Sequence, residues 1–322
     1  EVSVYHEKTT RMETTQKPKE IIGHLMVLST IVIYSFNTNF MKILMPEWIA
    51  PHGLALIRCT VMVLGFWIIS LFIPASKQQA KPKRKDILMM MLGGLLGIGG
   101  NLLLYLNGLN ITGPVDAFVI RTVQPIVVIA LAVLILHVDF NRYKAIGIVL
   151  GLAGTLYVSI TPHAGTMKDS FTGDILVFVS SIFNGLYLIL IKPYTQKFNS
   201  IIVMRWMSLA AFILILPFGL HQVLKAPLFT SEAPVHIWLE LGFVLIFATM
   251  IAYFLNLKAL LYISPFVESV YISLLPLTGA IVSISLGLQK FSWHDPIALV
   301  LIIAGFALIN KKKKVKVVIN KS

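Results

Sequence analysis

Long apolar stretches, separated by short polar segments, run through almost the whole chain. An α-helix rises about 1.5 Å per residue, so about 20 apolar residues are enough to cross the hydrocarbon core of a bilayer. The pattern predicts ten membrane-spanning helices, over residues 21–42, 51–73, 87–107, 113–136, 143–160, 173–191, 200–220, 236–257, 264–287 and 293–310. We expect the polar residues 1–20 to form a disordered tail and residues 311–322 to form a basic tail.

Two of these runs share an unusual arrangement of prolines. Residues 114–136 and 265–287 each begin with a proline and carry a second one eleven residues later, Pro125 and Pro276. An interior proline removes a backbone hydrogen bond and bends the helix, which membrane helices tolerate where neighbours or water satisfy the freed carbonyl. We expect both prolines to act as bends that help gating.

Other matches between the two halves of the chain indicate an internal repeat. Phe36-Asn37 recurs as Phe183-Asn184, and Arg58 recurs as Arg205. We therefore divide the chain into a first five-helix repeat, 21–160, and a second, 173–310. Because five is odd, the second repeat enters the membrane from the opposite side. Inverted repeats around a site at the membrane midplane are typical of secondary transporters.

Composition and charge support a membrane protein that is all-α. The chain has 322 residues, 57% of them hydrophobic and 13% charged, whereas a soluble domain has about 25% charged residues. The net charge of +13 comes from lysines in short connecting segments and tails, so the bilayer is the expected partner and nucleic acid is not. Twenty lysines and arginines fall on the side that holds both chain ends, and four fall on the other side. This asymmetry predicts that both termini are cytoplasmic.

Sequence signatures of catalysis are missing. The sequence contains no Walker A loop, no GxSxG or HExxH motif, and a single cysteine, Cys59, within an apolar run. We therefore expect no enzyme activity, no cofactor and no metal site.

The matched motifs resemble the EamA repeats of the drug/metabolite transporter superfamily, in its ten-helix branch. The stretches that carry this resemblance are YSFNTNFMKIL (34–44), GLALIRC (53–59), YLNGLNITGPVDAFVIRTVQP (105–125) and FLNLKALLYISPFVESVYISLLP (254–276). The resemblance implies a transporter in the bacterial inner membrane that moves amino acids, drugs or other small metabolites, with export as the expected direction. It also implies a substrate cavity between runs one, three, four, six, eight and nine, with the second and seventh packing beside it. The glycine-rich fifth run is then expected to serve packing or a homodimer contact.

Arg121 is the leading candidate for substrate binding. It lies seven residues beyond Pro114, about 10 Å into the helix, where an arginine needs a carboxylate, carbonyl groups or water. One hypothesis is that Arg121 binds an anionic group of the substrate, such as a carboxylate. The other is that it pairs with Glu268 or Asp116 and holds the two halves in one state.

Two acidic residues are candidates for proton coupling. Glu268 and Asp116 lie in the first turns of matching helices, and a carboxyl inside the membrane can take up and release a proton. The alternative is that each is a helix N-terminal carboxylate, stabilised by the helix dipole and hydrated from the nearer side. Arg58, Arg205 and Lys42, near helix ends, are expected to have structural roles and to extend towards an interface.

Amide and tyrosine side chains within the spanning runs complete the predicted binding site. Given the resemblance, Asn37 and Asn184 are expected at the cavity because each lies on the first helix of its repeat. The remaining candidates for substrate binding are Gln124, Tyr105, Asn101, Tyr253 and Tyr271, with Asn256 and Asn39 also considered. A wall of this kind would suit an amphipathic metabolite.

Two other classes of function are open at this point. The chain could be a membrane scaffold, receptor or lipid scramblase that carries no solute, or a nucleotide-sugar exchanger within the same superfamily. The inverted repeat favours a carrier, because a static scaffold has no need of two interchangeable halves.

Overall fold

The computed structural model describes residues 2–72, 81–137, 170–230 and 233–288, with single residues between 142 and 157 and between 296 and 304. Within these ranges eight helices are long and apolar enough to cross a membrane. They are α1 (Val2–Leu44), α2 (Pro51–Leu71), α3 (Arg84–Ile111), α4 (Pro114–Leu136), α5 (Phe171–Lys197), α6 (Ser200–Leu224), α7 (Val235–Ala259) and α8 (Pro265–Ser285).

The all-α membrane fold is confirmed, with eight of the ten predicted helices in the described residues. The fifth and tenth predicted runs lie largely outside those residues. The backbone from Val2 onwards is helical and continuous with the spanning part of α1 to Leu44, where we expected a disordered tail over residues 1–20.

Both proline-containing helices are interrupted at their predicted bends. In α4 the first segment ends at Arg121 and the second begins at Gln124, and in α8 the corresponding residues are Ile272 and Leu275. Proline has no N–H to donate, and its ring clashes with the carbonyl four residues earlier. For Pro125 and Pro276 that carbonyl belongs to the last residue of the first segment, so each helix stops there.

The two interrupted helices cross each other at their breaks. The first segment of α4 packs against the second segment of α8, and the first segment of α8 packs against the second segment of α4. Gly279 lies at this crossing, where a Cβ atom would come within 2.4 Å of the Phe118 ring. The close approach of the helices therefore requires glycine at this position.

Two other helices contain a matching pair of π-helical segments. Leu95–Gly100 interrupts α3 and Val244–Ile251 interrupts α7. A π segment widens the helix by one residue per turn and turns its side chains to a new direction, often at functional sites. In α3 the wide turn holds Gly97, where a Cβ atom would lie 2.2 Å from the ring of Tyr187 on α5.

A lysine on α1 joins this helix to the end of α3. The Nζ atom of Lys42 donates hydrogen bonds to the carbonyls of Leu109, Asn110 and Thr112, at 2.8, 3.0 and 2.8 Å. The last carbonyls of a helix have no partner within the helix, and a cation there is also favoured by the helix dipole. Lys42 therefore does not extend to the interface as expected, because these carbonyls offer it three acceptors.

Lys192 on α5 makes the equivalent contact in the second half. Its Nζ atom donates hydrogen bonds to the carbonyls of Leu260 and Ile263, which follow the end of α7. In each half, a lysine on the first helix thus ties that helix to the connection before the interrupted helix.

Candidate functional site

A polar cavity lies beside the breaks in α4 and α8. Seven of the eight described spanning helices contribute to its wall. The lining residues are Tyr34, Asn37, Thr38, Met41, Arg58, Gly97, Asn101, Leu102, Tyr105, Arg121, Asn184, Tyr187, Tyr253, Asn256, Glu268 and Ile272. The cavity has a volume of about 50 Å³, which is enough to admit several water molecules. The cavity is therefore suited to a small solute.

Arg121 occupies the wall at the end of the first segment of α4. Its guanidinium carbon lies 4.6 Å from the centroid of the Tyr105 ring, a cation–π contact that fixes its position. Its Nε atom is buried and has no hydrogen-bond partner. The helix segment ends at this residue, so the negative end of the helix dipole also favours the positive charge. Arg121 is thus held in place with donor groups left for a ligand.

Glu268 faces the same cavity from the first turn of α8. It is 3% exposed, and its buried Oε2 atom has no hydrogen-bond partner. Although its charge and that of Arg121 act on each other, the two form no ion pair among the described residues. The alternative of a lock between Arg121 and Glu268 is not formed in this structure. Glu268 also lies in the first turn of α8, as the alternative of a helix N-terminal carboxylate requires.

Arg58 is a lining residue that we did not expect at the cavity. It is 2% exposed, and its Nε atom donates to Thr249 Oγ1 at 2.8 Å. One of its Nη atoms contacts the Sδ atom of Met41 at 2.8 Å. The expectation that Arg58 extends to an interface was therefore wrong. The reason is that the π segment of α7 brings Thr249 to a position where it accepts from this arginine.

Tyrosine hydroxyls in the wall are oriented by hydrogen bonds from neighbouring helices. Asn256 Nδ2 donates to Tyr34 Oη at 3.1 Å, while Thr30 Oγ1 donates to Asn256 Oδ1 at 2.8 Å. The hydroxyls of Thr38 and Tyr105 are 2.9 Å apart. Because Tyr34 already accepts a hydrogen bond, its own proton is available to a ligand.

Three asparagines add polar groups to the wall. The Oδ1 atoms of Asn37 and Asn101 are buried without a hydrogen-bond partner, while Asn101 Nδ2 donates to the Gly97 carbonyl at 3.2 Å. Asn184 lines the cavity from α5. A buried amide oxygen without a partner costs about 1–3 kcal/mol, so a ligand that donates to it would gain affinity.

The structure brings eight of the predicted site residues together and places the others elsewhere. The eight are Arg121, Asn37, Asn184, Tyr105, Asn101, Tyr253, Asn256 and Glu268. Gln124 lies beyond the break in α4 and donates to the Ser181 carbonyl at 3.2 Å. The Oη atom of Tyr271 is 2.8 Å from the Nδ1 atom of His24, and Tyr271 does not line the cavity. The buried carboxyl Asp116 is likewise absent from the lining.

Helical spacing is a signal that could have identified the residues we missed. On α1 the lining positions are Tyr34, Asn37, Thr38 and Met41, three or four residues apart and so on one face. The same spacing connects Asn184 to Tyr187, Tyr253 to Asn256, and Gly97 to Asn101 to Tyr105. The two tyrosines that we missed, Tyr34 and Tyr187, each lie one turn from a residue that we had selected.

Comparisons with known proteins agree on a family and a fold. The model of the EamA-like transporter family matches residues 21–160 and again residues 171–311. Uncharacterized transporter YetK of Bacillus subtilis (strain 168) is 22% identical over 304 residues, covering 91% of this chain and 83% of that protein. Uncharacterized transporter YyaM of the same strain is 22% identical over 289 residues, covering 89% of this chain and 93% of that protein. A solved crystal structure with 17% sequence identity superposes with a TM-score of 0.61 and covers 92% of this chain and 97% of its own.

Proposed function

Because the chain belongs to the EamA-like transporter family, we propose that it is a secondary transporter that moves a small organic metabolite bearing a carboxylate. The matched family and the named relatives are transporters rather than enzymes. The single observation that carries the proposal is Arg121, whose Nε atom is buried without a partner on the wall of a polar cavity. A guanidinium pairs with a carboxylate through strong, charge-assisted hydrogen bonds.

The interrupted helices supply a way for the cavity to open on alternate sides. Arg121 is the last residue of the first segment of α4, and Glu268 lies on the first segment of α8. Each group therefore moves with a short helical segment. Backbone breaks absorb changes in dihedral angle that a continuous helix resists. We infer that the first segments of α4 and α8 swing about their breaks in turn, and that Pro125 and Pro276 act as the gating bends.

Proton coupling is proposed for Glu268 and not for Asp116. Glu268 faces the cavity with a partnerless oxygen, whereas Asp116 does not line it. A neutral Glu268 would leave the positive charge of Arg121 uncompensated and so favour binding of an anion, and release of the proton would favour its departure. We further propose export across a bacterial inner membrane, with both termini cytoplasmic.

Transport by purified protein in liposomes tests this function. Labelled amino acids and small organic acids would be offered with and without a pH gradient. We expect saturable uptake of a carboxylate compound that is inhibited by its unlabelled form and is absent from protein-free liposomes. If no compound in a broad panel shows saturable flux, the transporter proposal fails and a non-transporting membrane protein becomes the better account.

A further inference from the structure

Arg58 brings a second buried guanidinium to the cavity. Of its five N–H groups, one is donated to a threonine hydroxyl and one to the thioether of Met41, which is a weak acceptor. No carboxylate or carbonyl among the described residues accepts from Arg58, and its second Nη atom makes no hydrogen bond to them. Its remaining donors are therefore free for a ligand in the cavity that it lines.

Positive charge exceeds negative charge on this wall. Arg58 and Arg121 are both lining residues, and Glu268 is the one acidic side chain among them. Neither arginine forms an ion pair with a described residue. A buried charge without a partner is costly, and an arginine within a membrane protein normally meets an anion, a carbonyl or water. The charges on the cavity wall thus favour the binding of anionic groups.

The two guanidinium groups act on the same space. Both line one cavity, together with Tyr34 on α1 and Tyr253 on α7. The hydroxyls of Tyr187 and Tyr253 make no hydrogen bond to any described residue, and Tyr34 has its proton free because it accepts from Asn256. These hydroxyls and the two guanidinium groups offer donors to acceptor oxygens of a ligand, and the amide oxygens of Asn37 and Asn101 are acceptors in the same wall.

We propose that the cavity binds a small organic dianion, with one acidic group held by Arg121 and the second charge neutralised by Arg58. The inference rests on the proposed transport function and narrows its substrate class. A cavity of about 50 Å³ favours a compact molecule, such as a four-carbon dicarboxylate, which has the carboxylate of the proposed substrate and a second negative charge.

A binding measurement on the purified protein in detergent tests this proposal directly. The probes are succinate and its monoamide, succinamate, which have nearly the same shape and differ by one negative charge. Glycerol 3-phosphate is the third probe and distinguishes a phosphate ester from a dicarboxylate. Affinity is read from the ligand-dependent shift of the thermal unfolding midpoint.

We expect the protein to bind a dianion at least about tenfold more tightly than succinamate, which corresponds to about 1.4 kcal/mol. The variant R58Q should bind the dianion and succinamate equally, while R58K should keep part of the preference. R205Q is the matched control, because Arg205 lies over Trp67 and Trp206 outside the cavity. It should bind like the unaltered protein.

Equal binding of dianion and monoamide by the unaltered protein would overturn the proposal, even if R58Q failed to fold. A dianion preference that survives in R58Q would overturn the role of Arg58. Dianion binding without flux in liposomes would support the inference and contradict transport. Flux of monocarboxylates without a dianion preference would support transport and contradict the inference.

Discussion

Arg121 and Tyr105 form a cation–π pair across the cavity wall, with the guanidinium carbon 4.6 Å from the ring centroid. The ring comes from α3, just beyond the π segment, and the cation comes from the end of the first segment of α4. The contact partly offsets the burial of a charge that forms no ion pair with Glu268 in the described part of the chain, and it holds the guanidinium in one position. The proposed substrate site is therefore preorganised.

Tyr105→Leu should weaken binding of a carboxylate substrate. Loss of the ring removes a contact worth about 0.5–2 kcal/mol, which predicts an affinity about 2- to 30-fold lower. Tyr105→Phe is the matched control, because it keeps the ring and loses only the hydroxyl that neighbours Thr38. The measurement is the half-saturating concentration for uptake in liposomes. Equal losses in both variants would assign the effect to the hydroxyl rather than to the cation–π pair.

Glu268→Gln should uncouple transport from the pH gradient. Glutamine has nearly the shape of a neutral glutamic acid and cannot exchange a proton. We expect the variant to bind substrate at any pH as the protonated protein does, and its flux to be indifferent to the gradient. Glu240→Gln on α7, outside the cavity lining, is the control and should respond to the gradient normally. A gradient response that persists in Glu268→Gln would return Glu268 to a structural role.

Gly279→Ala should destabilise the crossing of α4 and α8. The added Cβ atom would lie 2.4 Å from the Phe118 ring, so helix or ring must move. Overpacking of this kind costs about 1–3 kcal/mol, and we expect a lower midpoint of thermal unfolding. Gly242→Ala is the control, since a Cβ atom there meets no heavy atom within 4 Å. It should be neutral or stabilising by up to about 1 kcal/mol. Identical midpoints for both variants would contradict this account of the crossing.

Much of the fold was predictable from the sequence because apolar length and proline position act locally. The breaks in α4 and α8 were expected at Pro125 and Pro276, because an interior proline kinks or breaks a helix. Pro193 in α5 and Pro217 in α6 lie within continuous helices, so a proline alone does not decide whether a helix is interrupted. Arg121 and Glu268 were identifiable because a charge inside a membrane needs a special environment.

Placement of Arg58 could not be predicted, because it depends on which face of α2 meets its neighbours and on the π segment of α7. Neither is set by the residues around Arg58 itself. The prediction that Gln124 belongs to the binding site failed for a similar reason, because Gln124 does not line the cavity. The break between residues 121 and 124 turns it away from Arg121, towards the Ser181 carbonyl.

Lys42→Met should loosen the attachment of α1 to the end of α3. The substitution keeps much of the side-chain length and removes the ammonium group that binds three carbonyls. Hydrogen bonds to charged groups contribute about 1.5–3 kcal/mol, so we expect a clear loss of thermal stability. Lys225→Met at an exposed position is the control and should have little effect. Unchanged stability of Lys42→Met would show that water replaces the lysine without cost.

The most direct test of the central claim is uptake of a carboxylate substrate by Arg121→Gln in liposomes. Arg142→Gln is the matched control, because Arg142 is exposed and also lies over a tyrosine ring, that of Tyr143. We predict that Arg121→Gln loses saturable uptake while it inserts and unfolds like the unaltered protein, and that Arg142→Gln transports normally. Normal uptake by a folded Arg121→Gln variant would contradict the assignment of Arg121 as the group that binds the substrate carboxylate.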